Sequence, residues 1–439
     1  MRLPNPARNR YVILSAAVVM QMCLGATYSW SVYVAALREL TGLGQGTVQL
    51  PFTAFYFVFP AVAAGAGFLL RRWGPRRCAM LGGVLFGGGW MLAGLGARHF
   101  AFTVAGIGIL AGAGVGLAYL VPITVGVRWF PRHKGLVTGV AVAGFGGGAA
   151  VVSQAGWALM ERSGLSPFEA FGVLGLVFLV LVPLSGSLMR NPPTEPTGRP
   201  LGAQAPGRQV GFDESDGAEA ALSCDSSPSA RDVLLLPEFR LLFAAMFCGL
   251  AAGFAVNANL KEFSPAAGLP DGGGAAGHSL GVAAVSVFAL ANAMGRILWG
   301  GLFDRSRAGT VLRANLWAQA LVVLVSPLLT GIPAGYLTFA ALAGFNYGGV
   351  LVLYASSTAR LWGPERLGPV YGLLFTANIP AALAPALAGL VWDRFGSFFP
   401  AMLALGGLLV ASGVLVSANS SMQTSPQRSS FVRRVHRDG

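Results

Sequence analysis

Twelve stretches of this chain are each long and apolar enough to cross a bilayer as a helix. Their approximate limits are 11–37, 48–70, 77–97, 100–127, 135–159, 168–189, 240–260, 279–303, 311–331, 334–359, 368–392 and 397–417. A bilayer core takes about 20 predominantly apolar residues to span. Within it, backbone polar groups must be satisfied inside the segment, which a helix does. The expected fold class is an all-α membrane protein with twelve transmembrane helices. Composition agrees. Of 439 residues, 54% are hydrophobic and only 11% charged, whereas a soluble domain carries roughly 25% charged residues. The 62 glycines follow no three-residue period, which excludes collagen, and the apolar content excludes disorder. The first stretch has too long an apolar run, and no small-residue cleavage site, to be a removed signal peptide.

Segment 190–238 interrupts the pattern. It is rich in Pro, Gly and Ser and sets Arg190, Arg199, Arg208 and Arg231 against eight carboxylates. It reads as a polar cytoplasmic linker. The expected organisation is an N-terminal six-helix bundle (1–189), the linker (190–238), a C-terminal six-helix bundle (239–417) and a basic tail (418–439).

The net charge of +13 comes from 30 Lys+Arg against 17 Asp+Glu. The termini and the loops after helices 2, 4, 6, 8 and 10, helix edges included, hold 24 of the 30. The loops after odd-numbered helices hold five: Arg38, Arg98, Arg162, Lys261 and Arg394. Cytoplasmic loops collect Lys and Arg, so both termini are expected in the cytoplasm, in a plasma (inner) membrane. Topology accounts for the charge, and no nucleic acid partner is implied. Cys23, Cys78, Cys224 and Cys248 show no paired spacing, and His99, His133, His278 and His436 lie outside the apolar runs. No metal or cofactor is expected. The expected partners are lipid and a small solute, with the protein a monomer.

The sequence also echoes itself at an offset of 233 residues: Gly67 with Gly300, Arg72 with Arg305, and Trp129-Phe130-Pro131 with Trp362-Gly363-Pro364. Two parallel six-helix repeats are a transporter architecture, with the solute site near the midplane between them.

On these residues the chain resembles the major facilitator superfamily. The loop Gly67-Phe68-Leu69-Leu70-Arg71-Arg72-Trp73-Gly74-Pro75-Arg76-Arg77 is similar to its signature loop, with Arg71 where that superfamily has an aspartate. The second repeat keeps the acid in Gly300-Gly301-Leu302-Phe303-Asp304-Arg305. The resemblance implies that Asp304, Arg305, Arg71 and Arg72 belong to a cytoplasmic gate, with half of its latch altered. More narrowly, the chain resembles the oxalate:formate antiporters and, more distantly, the monocarboxylate transporters. The stretches that carry this are Gly25-Ala26-Thr27-Tyr28-Ser29-Trp30, Lys134-Gly135-Leu136-Val137-Thr138-Gly139, Asn292-Ala293-Met294-Gly295-Arg296 and Tyr371-Gly372-Leu373-Leu374-Phe375-Thr376-Ala377-Asn378.

Arg296 is the one basic residue left inside an apolar run. A charge in hydrocarbon costs at least about 2.5–3.5 kcal/mol, and such a residue normally faces a cavity or a partner. Asp304 lies eight residues on, so Arg296 sits about 12 Å inside that helix end at 1.5 Å per residue. Snorkelling to the interface is the bland alternative. No Asp, Glu or His is read inside a span, so the missing counter-ion is expected to be an anionic substrate, held by two parallel hydrogen bonds. The resemblance implies the same role. Asn292 lies one turn away on the same face and is expected to orient the guanidinium or to donate to substrate. Asn378 stands where the resembling oxalate antiporters have a lysine, which leaves one buried cation and implies a preference for a monoanion. Tyr28, Tyr119, Tyr347 and Phe375 match aromatic positions that line the family's cavity. Gly108, Gly112, Gly116, Gly135, Gly139 and Ala143 follow four-residue spacing and read as helix-packing positions.

The expected function is secondary active transport of a small organic anion, a monocarboxylate of the formate, lactate or pyruvate type. The mode is alternating access with anion exchange or proton-linked co-transport. A dicarboxylate (oxalate) antiporter and a transporter-like membrane receptor are the alternatives. No ATP-binding motif is present, and no buried Ser/His pair or paired acids suggest an enzyme.

Overall fold

The computed structural model describes residues 6–130, 134–192, 230–264, 274–362 and 367–418; all regular structure among them is helical. Among the described residues, eleven helices are long and apolar enough to cross a membrane: α1 (Arg10–Ser29), α2 (Gln45–Leu70), α3 (Arg72–Ala97), α4 (Ala101–Trp129), α5 (Gly139–Glu161), α6 (Pro167–Ser187), α7 (Pro237–Ala258), α8 (Ser279–Arg305), α10 (Pro333–Trp362), α11 (Val370–Phe395) and α12 (Phe399–Ala418). The shorter apolar helix α9 (Ala308–Leu324) lies between α8 and α10. It ends before the expected limit of 331. The chain leaves helical geometry at Val325 and resumes as Ser326–Leu329, because Pro327 supplies no N–H to the preceding turn.

The first six helices pack chiefly on one another, as do the last six. The two sets meet where α5 lies against α8 and where α2 lies against α11. Most of the segment read as a linker falls outside the described residues, as does the tail after 418; its far end, Ala230–Leu235, is helical. Near the start of α3 the helix breaks at Gly74 (φ 78°, ψ 164°). That conformation favours glycine, and Pro75 then restarts the helix with its φ already set. At the start of α6, Ser166 Oγ accepts from the Glu169 N–H and Glu169 Oε2 accepts from the Ser166 N–H at 2.8 Å. This capping box places Glu169 within the bounds of a span, correcting the reading that none holds an acid. The residue sits in the first turn and is exposed.

Glycine sets how closely the helices approach. A Cβ on Gly108 would meet Ala54, one on Gly112 the Phe55 carbonyl, and one on Gly116 Val62, so these positions seat α4 on α2 as expected. In α5 the expectation fails at Gly139, which faces open space. Gly144 and Gly148 are the positions pressed against the α1 backbone. Between α8 and α10, Gly295 abuts the Phe345 carbonyl, Gly344 the Phe288 carbonyl and Gly348 the Asn292 carbonyl, with no room for a methyl group.

Two helices are interrupted where they reach the centre. The α1 helix tightens to a 3₁₀ turn over Gly25–Ser29 before Ser31–Thr41. The α11 region runs as Leu367–Phe375, Asn378–Ala381 and Ala384–Phe395. Irregular backbone at membrane depth is tolerated only where protein or a cavity surrounds it.

Candidate functional site

Arg296 lies on α8 with only 5% of its surface exposed, which removes the snorkelling alternative. Its Nε–H donates to Asn292 Oδ1 at 2.9 Å, one turn back on the same face, and Nη1 reaches the Val142 carbonyl of α5 at 3.4 Å. Nη2 and Asn292 Nδ2 are buried without an acceptor at full hydrogen-bond geometry, although the Tyr119 hydroxyl lies close enough to the guanidinium to act on it as a hydrogen-bond partner. Both orphans are donors. Tyr28, Tyr119 and Tyr347 all lie within electrostatic reach of the guanidinium. The geometry therefore gathers a fixed positive charge, two donors without acceptors and three phenols in one buried place.

The phenols come from both sets of helices. The Tyr28 hydroxyl on α1 meets the Tyr347 hydroxyl on α10 at 3.0 Å. The 3₁₀ turn of α1 carries Tyr28, and the α8–α10 glycine contacts carry Tyr347 toward the centre. Around them the rings close a cage. Tyr28 packs edge-on to Phe145 at 5.5 Å, Tyr119 to Phe145 at 5.2 Å, and Tyr347 to Phe254 at 5.9 Å. Such ring pairs contribute about 0.5–1.5 kcal/mol each beyond their buried area.

Phe375 sits at the rim of this cage, edge-on to Phe59 at 5.8 Å. Asn378 is buried, but its Nδ2 donates to the Phe375 carbonyl of its own helix at 2.7 Å, and no contact joins it to Arg296 among the described residues. Tyr56, Phe59 and Tyr371 were not singled out from sequence. The Tyr56 ring lies 4.2 Å from Phe254, and Tyr371 is within electrostatic reach of Arg296. The signal for the first two is the run Phe52, Phe55, Tyr56, Phe59, one face of a helix.

The expected gate residues behave differently. Asp304, Arg305 and Arg72 are exposed; the Arg71 side chain lies outside what is described. Among the described residues, no hydrogen bond or ion pair joins the two sets at that end. Instead Arg360 caps the end of α8, donating to the Ser306 and Phe303 carbonyls at 2.8 and 3.0 Å. The opposite end, bearing the loops after odd-numbered helices, is closed. There Asp393 at the end of α11 accepts from the backbone N–H groups of Gln45 and Gly46 at 2.8 and 3.0 Å. Gln45 and Gln49 donate to Asn259 Oδ1 at 2.8 and 3.0 Å, and Ser153 bonds Ser286 at 3.2 Å. Every one of these bonds crosses from the first six helices to the last six.

The chain matches the Major Facilitator Superfamily over residues 15–385. It is 26% identical over 402 residues to the oxalate:formate antiporter of Oxalobacter formigenes, covering 88% of this chain and 86% of that protein. It is 26% identical to the apicoplast pyruvate carrier 1 of Toxoplasma gondii, covering 83% and 80%. It is 25% identical to monocarboxylate transporter 13 of Bos taurus, covering 92% and 88%. Among solved structures, a D-xylose-proton symporter superposes with a TM-score of 0.68 at 14% identity, covering 95% of this chain and 98% of that one. With the family match spanning most of its length, and with all-helical architecture and helices of membrane-crossing length, the chain belongs to the Major Facilitator Superfamily, a multi-pass membrane transporter and not an enzyme.

Proposed function

We propose that this protein carries a small organic monocarboxylate, of the formate, lactate or pyruvate type, by alternating access, with Arg296 as the residue that selects the anion. The observation that carries the reading is the pair of buried orphan donors, Arg296 Nη2 and Asn292 Nδ2. Buried polar groups in native proteins are almost always paired, and two donors beside a fixed cation call for an acceptor with negative charge. A carboxylate supplies both. Tyr28, Tyr119 and Tyr347 add hydroxyls, and Phe375 with Phe59 keeps the carbon end of the solute dry. Asn378, neutral and buried, leaves a second carboxylate without a partner, which favours a monoanion over oxalate. The relatives named for oxalate:formate exchange, pyruvate and monocarboxylates support the same solute class.

An unpaired Arg296 makes the empty carrier slow to reorient. Two coupling modes satisfy that constraint: exchange of one anion for another, and uptake of a proton together with the anion. The charge asymmetry of the loops puts both termini in the cytoplasm, so the closed end faces outward and Asp304, Arg305 and the Arg71–Arg72 loop face the cytoplasm as parts of the opposite gate.

The test is counterflow in vesicles with purified protein, loading unlabelled lactate, pyruvate, formate or oxalate and following a labelled monocarboxylate. Accumulation driven by the monoanions and weakly by oxalate is expected. Binding without counterflow would instead identify a receptor.

A further inference from the structure

Glu262 follows the apolar stretch 240–260 by two residues. The structure buries it just beyond α7, 8% exposed, with both carboxyl oxygens shielded from water and without a hydrogen bond from any other residue; its own backbone N–H is the one donor that acts on the carboxyl. It stands at the closed end, in the 3₁₀ turn Leu260–Phe263, among the contacts that join the two sets of helices. Two of the few basic residues on that face converge on it. Arg38, at the end of Ser31–Thr41, and Lys261 both act electrostatically on the carboxyl. Lys261 turns away, its Nζ donating to the Val32 carbonyl of the first set at 3.4 Å. A cavity of about 310 Å³ reaches Glu262 from this end, bounded also by Ser326, Trp392 and Phe398.

An ionised carboxylate with no water and no hydrogen bond beyond its own backbone N–H is a costly form for this group. Either it is protonated when the gate is shut, or opening supplies the water it lacks. We propose that Glu262 is a proton-binding site built into this gate, so that closing this end of the transporter takes up one proton and opening it releases one. The proposal deepens the transport reading and rests on it, since it assumes that this end opens during the cycle.

The electrostatics agree. Burial raises the Glu262 carboxyl to about 8 against the opposing pull of Lys261, of its own backbone N–H and of Arg38. Burial likewise lowers the Lys261 ammonium, against the pull of Glu262 and of Glu161 at the end of α5. Tyr336 of α10 is the remaining titratable neighbour among the described residues; its hydroxyl donates to the Leu260 carbonyl at 2.7 Å, not to the carboxyl. A carboxyl raised in the closed state and near its ordinary value of about 4.3 when hydrated stabilises closure fully at acid pH. That contribution is lost as pH rises through about 8. Between those limits the closed-to-open ratio should fall by up to about tenfold per pH unit, the ceiling for one proton.

The experiment places spin labels at Leu40→Cys and Phe395→Cys, both exposed on opposite sides of this gate, in a Cys224→Ser background. The other three cysteines are buried. Distance distributions are recorded in vesicles without substrate from pH 5 to pH 9. The parent should show the long-distance population growing with pH, and Glu262→Gln should remain closed throughout. Lys261→Met removes a cation that favours the carboxylate, so it should move the parental profile to higher pH. A flat parental profile, or a parental slope retained in Glu262→Gln, overturns the proposal. So does a slope lost in Lys261→Met and kept in Glu262→Gln, which would put the proton on the lysine. Because this readout needs no solute, pH-driven closure without monocarboxylate counterflow would reject the transport reading and leave the proton site standing.

Discussion

The Tyr28 and Tyr347 hydroxyls stand 3.0 Å apart across the boundary between the first six helices and the last six. A hydrogen bond at that place is broken whenever the two sets rock apart, and it lies beside the guanidinium. Tyr347→Phe removes it while keeping the ring. With a typical net value of about 1 kcal/mol per hydrogen bond, closure and solute binding should weaken by roughly fivefold. The concentration dependence of counterflow checks this; an unchanged half-saturation value would mean that the hydroxyl contributes nothing.

Arg296→Lys keeps the charge and loses both the two-pronged geometry and the bond to Asn292 Oδ1. Charged hydrogen bonds contribute about 1.5–3 kcal/mol each, so transport should fall by roughly 10- to 100-fold. Arg296→Ala should abolish it. Both variants should reach the membrane, since the helix-packing glycines and the loop charges are untouched. Counterflow normalised to the amount of protein in the vesicle is the measurement, and a parental rate in Arg296→Ala would remove the arginine from the site.

Asn378→Lys supplies a second buried cation near the interruption of α11. It should raise competition by oxalate and lower that by lactate against one labelled substrate. The lysine can escape by losing its proton, so the change should be larger at lower pH. An unchanged oxalate-to-lactate ratio would show that Asn378 does not face the solute, in line with its bond to the Phe375 carbonyl.

Asp393→Asn tests the closed end. The aspartate accepts through both oxygens, from Gln45 and from Gly46. An amide can offer one oxygen only, and its NH₂ then points at a backbone N–H. A loss of about 1–2 kcal/mol, comparable to removing a helix cap, should raise the open population roughly tenfold in the label measurement at acid pH, where the parent is mostly closed.

Gly348→Ala forces a methyl group against the Asn292 carbonyl. Overpacking of this kind costs about 1–3 kcal/mol. The melting temperature in detergent should drop and transport should fall with it, because Asn292 is displaced. Gly407→Ala, on α12 where nothing lies within 4 Å, is the control and should leave both unchanged.

Much of the architecture was legible because lipid allows so few solutions: an apolar run of sufficient length has to be a helix. Arg296 and Asn292 were legible for the same reason, as a charge inside such a run with a polar neighbour four residues away. Tyr56 and Phe59 were readable as a face of α2, but a ring on a helix face does not say whether it meets lipid, core or cavity. In α5, glycines at 144, 146, 147 and 148 cover several faces at once, so spacing could not choose the face that touches α1. Glu262 was hidden more deeply. It follows an apolar run beside Lys261, where sequence places water, and only the docking of α8, α10 and the Ser31–Thr41 helix around that turn removes it. The break in α9 at Val325 is likewise imposed locally by Pro327 within an otherwise apolar stretch.

The contacts of Gly295, Gly344 and Gly348 have a consequence for how the carrier treats its two compartments. Backbone against backbone leaves no side-chain layer between α8 and α10 to compress or shear, so the pair travels as a single rigid block. Arg296, Asn292 and Tyr347 all ride on that block, and their mutual spacing is the same whichever way the transporter faces. The carboxylate end of a solute held by them meets the same three groups from either compartment. Any difference in affinity between the two sides then falls on the phenols of the other set, Tyr28 and Tyr119, and not on the three groups of the block.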